Sequence, residues 1–330
     1  MNSFGRLLRV SILGESHGSG LGVVIDGCPA GLPLAPEDFE PDLARRRAGA
    51  KGTTPRREAD VPRLKTGTLN GRATGAPLLV WFDNEDVRSA AYDKLADTPR
   101  PGHADLVGRQ KFGGFNDPRG GGHFSGRLTA GLVAAGVVAK RLLGEVKVQA
   151  RLTEAGGLSD IDRAVQEALA AKDSVGGFVE CRASPLPAGL GEPFFDSAES
   201  LLAHLIFAIP AIKGVEFGDG FEASRRRGSE VNDEILDAAG RTRSNHAGGI
   251  NGGLTNGNEL VLRVAVKPTS SISRAQRTVN LKTGESVELA VGGRHDACIA
   301  LRVPVVLEAA VALVLCDLML LEGRIPRVWR

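Results

Sequence analysis

Five of the six histidines stand in glycine-rich or polar settings. They are His17 in Gly-Glu-Ser-His-Gly, His103 in Arg-Pro-Gly-His-Ala-Asp, His123 after three glycines, His246 in Ser-Asn-His-Ala-Gly-Gly, and His295 in Gly-Arg-His-Asp. Only His204 falls on an amphipathic helical pattern. A lone histidine is more often structural, but five with flexible, polar flanks point to acid and base groups that titrate near neutrality. No two have the HxxxH or HxH spacing that places paired imidazoles on one zinc ion, so no metal centre is expected.

Arginines give the second signal. They are Arg45, Arg46 and Arg47, Arg56 and Arg57, Arg119, Arg127, Arg294 and Arg302, of which Arg119, Arg127 and Arg294 adjoin glycine or histidine. Each guanidinium presents a planar fork of donors to a carboxylate or phosphate, and several converging would suit a small ligand with more than one anionic group. The contiguous run Arg225, Arg226 and Arg227 reads as a solvated face. A third signal is Lys267-Pro268-Thr269-Ser270-Ser271-Ile272, a cation and three hydroxyls on a turn that closes a clear strand. That set suits a phosphate tail, although an ordinary strand-ending turn has the same composition. The 43 glycines are roughly twice the usual share of about 7%. They cluster beside Arg, His or Asn, where a chain without Cβ atoms lets backbone N–H groups approach an anion. Neither GxGxxG after a strand nor GxxxxGK[ST] occurs, so the usual dinucleotide and nucleoside-triphosphate loops are missing.

The chain that must position these groups has 330 residues, 42% hydrophobic and 24% charged, enough for a sizeable core. A net charge of +2 gives no field that implies nucleic acid or an anionic membrane, so any basic site is local. Aromatic residues make up 5% and none interleaves with residues 45–57, which argues against a basic arm that stacks RNA bases. Cys28, Cys181, Cys298 and Cys316 lack metal-ligand spacing and sit among apolar residues, as reduced core thiols do. No secretory signal is apparent at the N-terminus, so the cytoplasm is expected. Residues 303–321 approach the length of a membrane span, but Glu308 and Asp317 interrupt them. With Pro304 near the start and Gly323 after the end, they predict a helix buried in a core or a subunit interface.

Alternating apolar residues predict strands at Leu8, Val10 and Ile12, and at Leu260, Leu262, Val264 and Val266. Residues 146–152 and 178–182 also read as strands, and residues 125–143, 160–171, 199–209 and 305–321 as helices. Ser159 with Asp162 resembles a helix cap pair. Strands and helices do not alternate strictly and no repeat or long linker divides the chain, which predicts an α+β protein with a single domain over residues 1–330.

Taken together in order and spacing, these segments resemble the signature set of the chorismate synthase family. They are residues 14–18, 45–60, 100–105, 117–127, 245–253, 267–272 and 293–296. The resemblance spans nearly the whole chain. It implies a sandwich of four-stranded antiparallel sheets with helices and intertwined halves, a homotetramer, reduced FMN as cofactor, and 5-enolpyruvylshikimate 3-phosphate as substrate. The implied reaction is the 1,4-elimination of phosphate to give chorismate, in the shikimate pathway of aromatic amino-acid biosynthesis. Matching residue by residue, His17 would protonate the departing phosphate, His103 would act on the flavin, and Asp296 would assist removal of the ring hydrogen. FMN contacts would fall on His123, Phe124, Ser125, Pro210, Ala211, Gly252, Lys267, Pro268, Thr269, Ser270, Ser271 and Arg294. Substrate anions would fall to Arg45, Arg46, Arg127 and Arg302. This chain departs from the family pattern at His123, where many members carry arginine, and at Ala48, which replaces a frequent proline. The nearest competing reading is a flavin-independent phosphatase that uses the same residues. With no nicotinamide domain recognisable in the chain, reduced FMN is expected from elsewhere. The NADP-linked supply, NADPH with FMN alone, is expected to give little turnover.

Overall fold

The computed structural model describes residues 2–49, 51–54, 58–85, 97–292 and 295–330. The first half builds strands β1 (Ser3–Phe4), β2 (Arg9–Gly14), β3 (Gly20–Asp26), β4 (Arg63–Thr66), the short pair β5 (Thr68–Leu69) and β6 (Arg72–Ala73), and β7 (Leu78–Asp83). All but β5 and β6 form an antiparallel sheet in the order β1-β2-β3-β7-β4. The two-residue β1 makes it five-stranded, one more than the expected four. The central strand β3 buries Leu21, Val23 and Ile25 completely. Its other face is kept bare for Trp81 of β7, since a Cβ at Gly20 would meet that ring at 2.6 Å.

Helices α1 (Glu40–Arg46), α2 (Asp105–Lys111) and α3 (Thr129–Leu143) lie within or just after this half. The second half adds β8 (Lys147–Ala155), α4 (Ile161–Ala170), β9 (Gly177–Ser184), α5 (Ala198–Ile206), β10 (Ile212–Phe217) and α6 (Gly228–Val231). It continues with the pair β11 (Ile250–Asn251) and β12 (Leu254–Thr255), then β13 (Leu260–Val266), the hairpin β14 (Gln276–Val279) and β15 (Ser286–Leu289), and α7 (Val303–Leu321). The second sheet is four-stranded and antiparallel, β10-β13-β9-β8. Its register sets Leu262 opposite Cys181 and Val264 opposite Val179, so the period-2 residues of both strands share one buried face.

Helix α3 packs on the first sheet, α7 on the second, and the two helices on each other, giving a sheet–helix–helix–sheet sandwich. The helices touch at Gly136, where a Cβ would come within 2.5 Å of Ala309 Cα. All four cysteines are free and buried, and burial pushes the Cys28 thiol up to about 12. Helix α7 with its preceding turn is long and apolar enough to cross a membrane, but 89% of its most apolar 18-residue window is buried inside the protein. Both its carboxylates are fully employed. Glu308 accepts two hydrogen bonds from Arg45 (2.7 Å each), one from Lys140 (2.8 Å) and one from Ala150 N (2.9 Å). Asp317 accepts the backbone N–H groups of Arg6, Leu7 and Leu8 at 2.8–2.9 Å, anchoring the turn between β1 and β2.

Several boundaries differ from the sequence reading, the helix expected over 199–209 ending at Ile206 among them, and two of the differences have a capping cause. The helix expected from residue 125 begins at Thr129, because Ser125 instead caps a 3₁₀ turn over Gly126–Leu128 by accepting from Arg127 N. The cap of α4 is Asp160, whose side chain accepts from Arg163 N, one residue beyond the expected Ser159.

Candidate active site

A cleft of about 790 Å³ opens between the ends of the sandwich and the loops that carry the histidine and arginine motifs. Among the described residues, seven lysine and arginine side chains line it, Arg46, Arg47, Arg100, Arg127, Lys213, Lys267 and Arg302, against three carboxylates, Glu58, Asp60 and Asp296. The excess of positive charge in this one place exceeds the net +2 of the entire chain, so the basic site is local, as expected.

The loop after β2 carries Ser16 and His17. Ser16 lines the cleft, whereas His17, only 7% exposed, lies behind the wall formed by Gly120. Gly120, Gly121 and Gly122 all have positive φ and thread between two histidines. A Cβ on Gly120 would lie 2.7 Å from His17 Nε2 and 2.8 Å from Ser16 Oγ, and one on Gly121 would lie 3.4 Å from His103 Nε2. Only glycine fits there without displacing an imidazole. Asn84 fixes the His17 loop, donating to the carbonyls of Glu15 and Gly18 at 3.0 Å while its own carbonyl accepts from Arg127 Nε at 3.3 Å.

His103 lines the cleft and is oriented by its own motif. Its Nδ1 lies 2.6 Å from Asp105 Oδ1 and 3.1 Å from Arg100 Nη2. Carboxylate and guanidinium would place opposite demands on that nitrogen. The shorter contact assigns it the proton, donated to Asp105, which leaves Nε2 as the basic atom of the neutral ring. Arg100 binds Asp105 through Nε and Nη2 (2.7 Å each) and donates to Ser271 Oγ (2.9 Å). Burial would raise the Asp105 carboxyl, but hydrogen bonds from Arg100 and then His103 outweigh it and hold the group far below the usual carboxylate range.

The turn after β13 closes another side. Lys267 N donates to Ala211 O (2.9 Å), bringing Lys267, Pro268, Thr269, Ser270 and Ser271 beside Pro210 and Ala211 on the cleft wall. Ser270 Oγ donates to Gly102 O (2.6 Å) and accepts from Lys267 Nζ (2.9 Å). Thr269 Oγ1 is buried without a hydrogen-bond partner among the described residues. Burial, and then the charge of Lys213, lowers the Lys267 ammonium below its ordinary value. His123, Phe124 and Ser125 also line the cleft, and His123 Nδ1–H donates to Gly14 O (2.8 Å).

The arginine wall is built around Asp60, which is buried and accepts from Arg46 Nη2 (2.6 Å) and Arg127 Nη1. Arg302 Nε donates to Arg46 O (2.9 Å), and its Nη1 lies 3.5 Å from Asp296 Oδ1, which also accepts from Thr54 N (2.9 Å). Burial, then the charge of Arg46, pushes the Arg302 guanidinium below its usual value.

Two expected site residues lie elsewhere. Arg45 lies at the surface, its side chain 46% exposed, and is spent on the buried Glu308, so it is not among the residues lining the cleft. Gly252 sits at the β11–β12 turn, also off the cleft wall. Arg56, Arg57 and Arg294 fall outside the described residues. His246 is likewise off the cleft, hydrogen-bonded through Nδ1 to Asp219 (2.8 Å). The sequence reading missed Asp60, Asn84, Arg100, Asp105 and Lys213. Arg100 and Asp105 could have been found from their places three residues before and two after His103 in the same motif, whereas Asp60, Asn84 and Lys213 are brought in by tertiary contacts.

Comparisons with known proteins agree on one family. The sequence profile described as chorismate synthase matches residues 8–320. A protein named chorismate synthase from Chitinophaga pinensis is 62% identical over 331 residues, covering all of both chains. Another of that name from Archaeoglobus fulgidus is 46% identical, with 99% of each chain covered. A solved structure described as a crystal structure of chorismate synthase superimposes with a TM-score of 0.74 at 27% identity, covering 97% of this chain and 93% of the other.

Proposed function

The chain belongs to the chorismate synthase family, and on that premise we propose that its cleft takes reduced FMN and 5-enolpyruvylshikimate 3-phosphate and eliminates phosphate to give chorismate. It is a lyase of the shikimate pathway, and the family works with a flavin. The observation that carries the finer reading is the meeting of three separate sequence signals in one cleft: the histidine loops, the arginine wall and the hydroxyl-rich turn.

The residues fit the cofactor. Lys267, Ser270 and Ser271 offer a cation and hydroxyl groups for a phosphate tail, and the buried Thr269 Oγ1 is a polar atom that the described protein contacts leave unsatisfied. His123, Phe124, Ser125, Pro210 and Ala211 form adjoining wall. When bound, reduced FMN supplies the electron-transfer chemistry that an elimination without net redox change requires. Arg46, Arg127 and Arg302 bind and orient the carboxylates and phosphate of the substrate. His103 holds its Nδ1 proton against Asp105 and works through Nε2 on the flavin side. His17 delivers a proton to the leaving phosphate, with Ser16 and the bare backbone of Gly120 between its ring and the cleft. Asp296, steadied by Thr54 N and Arg302, assists removal of the ring hydrogen. The chain acts as one domain over residues 1–330, in a cytoplasmic homotetramer, with reduced flavin supplied from elsewhere.

The test is anaerobic turnover of the enolpyruvyl substrate with chemically reduced FMN, following phosphate and chorismate together. Equal release of both, abolished when flavin is oxidised or omitted, is the expected result. Phosphate without chorismate would make the protein a phosphatase and overturn the reading.

A further inference from the structure

Arg46 and Arg127 are both buried, both line the cleft, and carry like charges that repel each other. Between them stands Asp60, whose side chain is 0% exposed and whose backbone has φ of +50°, a left-handed conformation uncommon for any residue but glycine. It divides its oxygens, Oδ2 to Arg46 Nη2 and Oδ1 to Arg127 Nη1. The other contacts of these guanidinium groups are long. Arg46 Nη1 reaches Thr129 Oγ1 at 3.4 Å, Arg127 Nε reaches Asn84 Oδ1 at 3.3 Å, and Glu58 is 3.9 Å from Arg127 Nη2. Arg46 Nε and Arg127 Nη2 have no hydrogen-bond partner among the described residues. With five N–H donors on each guanidinium, the pair holds more donors than the described residues supply acceptors.

We infer that Asp60 is the positioning residue of the anion site, holding two guanidinium groups side by side, one oxygen each, so that their surplus donors meet the carboxylates and phosphate of the substrate. The inference deepens the proposed function and rests on its assignment of these arginines to the substrate. Asp60 itself stays behind them. A carboxylate that merely competed with the substrate would weaken anion binding, and its removal would tighten it. A carboxylate that positions the arginines has the opposite effect: without it the two cations separate, and binding weakens although the site has become more positive.

The experiment compares wild type, Asp60→Asn and Asp60→Glu as full chains. Substrate affinity is measured by calorimetry with FMN present, KM and kcat in anaerobic turnover with reduced FMN, and oxidised-FMN affinity by flavin fluorescence. Asp60→Asn is expected to weaken substrate affinity and raise KM about 10- to 100-fold, the loss typical of disrupted charge-assisted hydrogen bonds. The fall in kcat is expected to be smaller, and FMN affinity to change less than substrate affinity, since Lys267, Ser270 and Ser271 lie on the turn after β13 and, among the described residues, only Ser125 of the proposed flavin contacts bonds to Arg127. Asp60→Glu keeps the charge but moves it by one methylene, so its KM should fall between the two. Unchanged or tighter substrate binding in Asp60→Asn overturns the inference. So does wild-type KM in Asp60→Glu, which decides the question alone should the asparagine variant fail to fold. A wild type that binds the substrate without turning it over would sink the functional reading, while the binding constants of the variants would still judge Asp60. A wild type that does not bind it at all overturns both.

Discussion

Asp317 on α7 and Asp60 beside the cleft are both buried carboxylates, but their surroundings are satisfied on different terms. Asp317 faces three backbone N–H groups of one turn, each at 2.8–2.9 Å, and Glu308, nearer the start of the same helix, is equally well supplied by Arg45, Lys140 and Ala150. Asp60 faces two arginines that each retain a buried nitrogen without a partner among the described residues. Buried polar groups are almost always paired, so the exceptions mark places where something else completes the set. The helical core is finished by the chain itself. The cleft keeps donors that the described chain leaves unmatched, as the proposed anion site requires.

If that contrast holds, damage to the cleft should cost turnover and damage to the core should cost stability. The largest effect is expected for His103→Ala, which removes the proposed acid–base group whose orientation Asp105 and Arg100 fix. Turnover should fall about 10²–10⁴-fold, the usual loss for such a group. The melting temperature should fall only slightly, because Arg100 still pairs with Asp105 through two hydrogen bonds when the ring is gone. Steady-state assays beside a thermal melt check both halves, and a rate near wild type would remove His103 from the mechanism.

Asp317→Ala should do the reverse. Three backbone donors at Arg6, Leu7 and Leu8 would lose this acceptor, and leaving buried donors unmatched costs about 1–3 kcal/mol for each group before relaxation. Water can reach part of the turn, so we expect a net loss of about 3 kcal/mol in urea unfolding. The KM of the remaining folded protein should stay within about threefold of wild type, as expected for sites that share no contacts. A raised KM without loss of stability would mean that the core and the cleft are not separate in this way.

The same contrast explains what could be read from the chain. Strand β13 was legible because alternation at Leu260, Leu262, Val264 and Val266 is a local property, and α7 because a long apolar run flanked by Pro304 and Gly323 has few other fates. Strand β3 was not, since Gly20 and Gly22 interrupt its pattern to make room for Trp81. In the arginine run the composition pointed to anion binding, but successive helical residues diverge by about 100°. Arg46 therefore reaches the cleft while Arg45 turns to Glu308, and only the placement of α1 against α3 and α7 decides which is which. Asp60 and Asn84 were invisible for a related reason: what they orient lies far away in sequence.

A smaller effect tests the cleft at low pH. Asp105 titrates far below the ordinary carboxylate value of about 3.9, because Arg100 and His103 outweigh the cost of burying its charge. A carboxyl depressed in the folded state binds fewer protons there than in the unfolded chain. Its stabilisation is therefore complete above about pH 4–5 and is lost as pH falls through the unfolded value toward the folded one. Asp105→Asn should accordingly lower stability at pH 7 and narrow the gap from wild type as the pH drops below about 4, a convergence measurable by urea unfolding across about pH 3–7. The carboxamide of that variant keeps a carbonyl that can accept from His103 Nδ1–H. The tautomer would survive but lose its charged partner, so turnover should fall less than in His103→Ala. A constant gap between the two stability curves down to about pH 3 would show that the Asp105 charge is not what Arg100 and His103 stabilise, and would leave the packing of the motif to account for the position of His103.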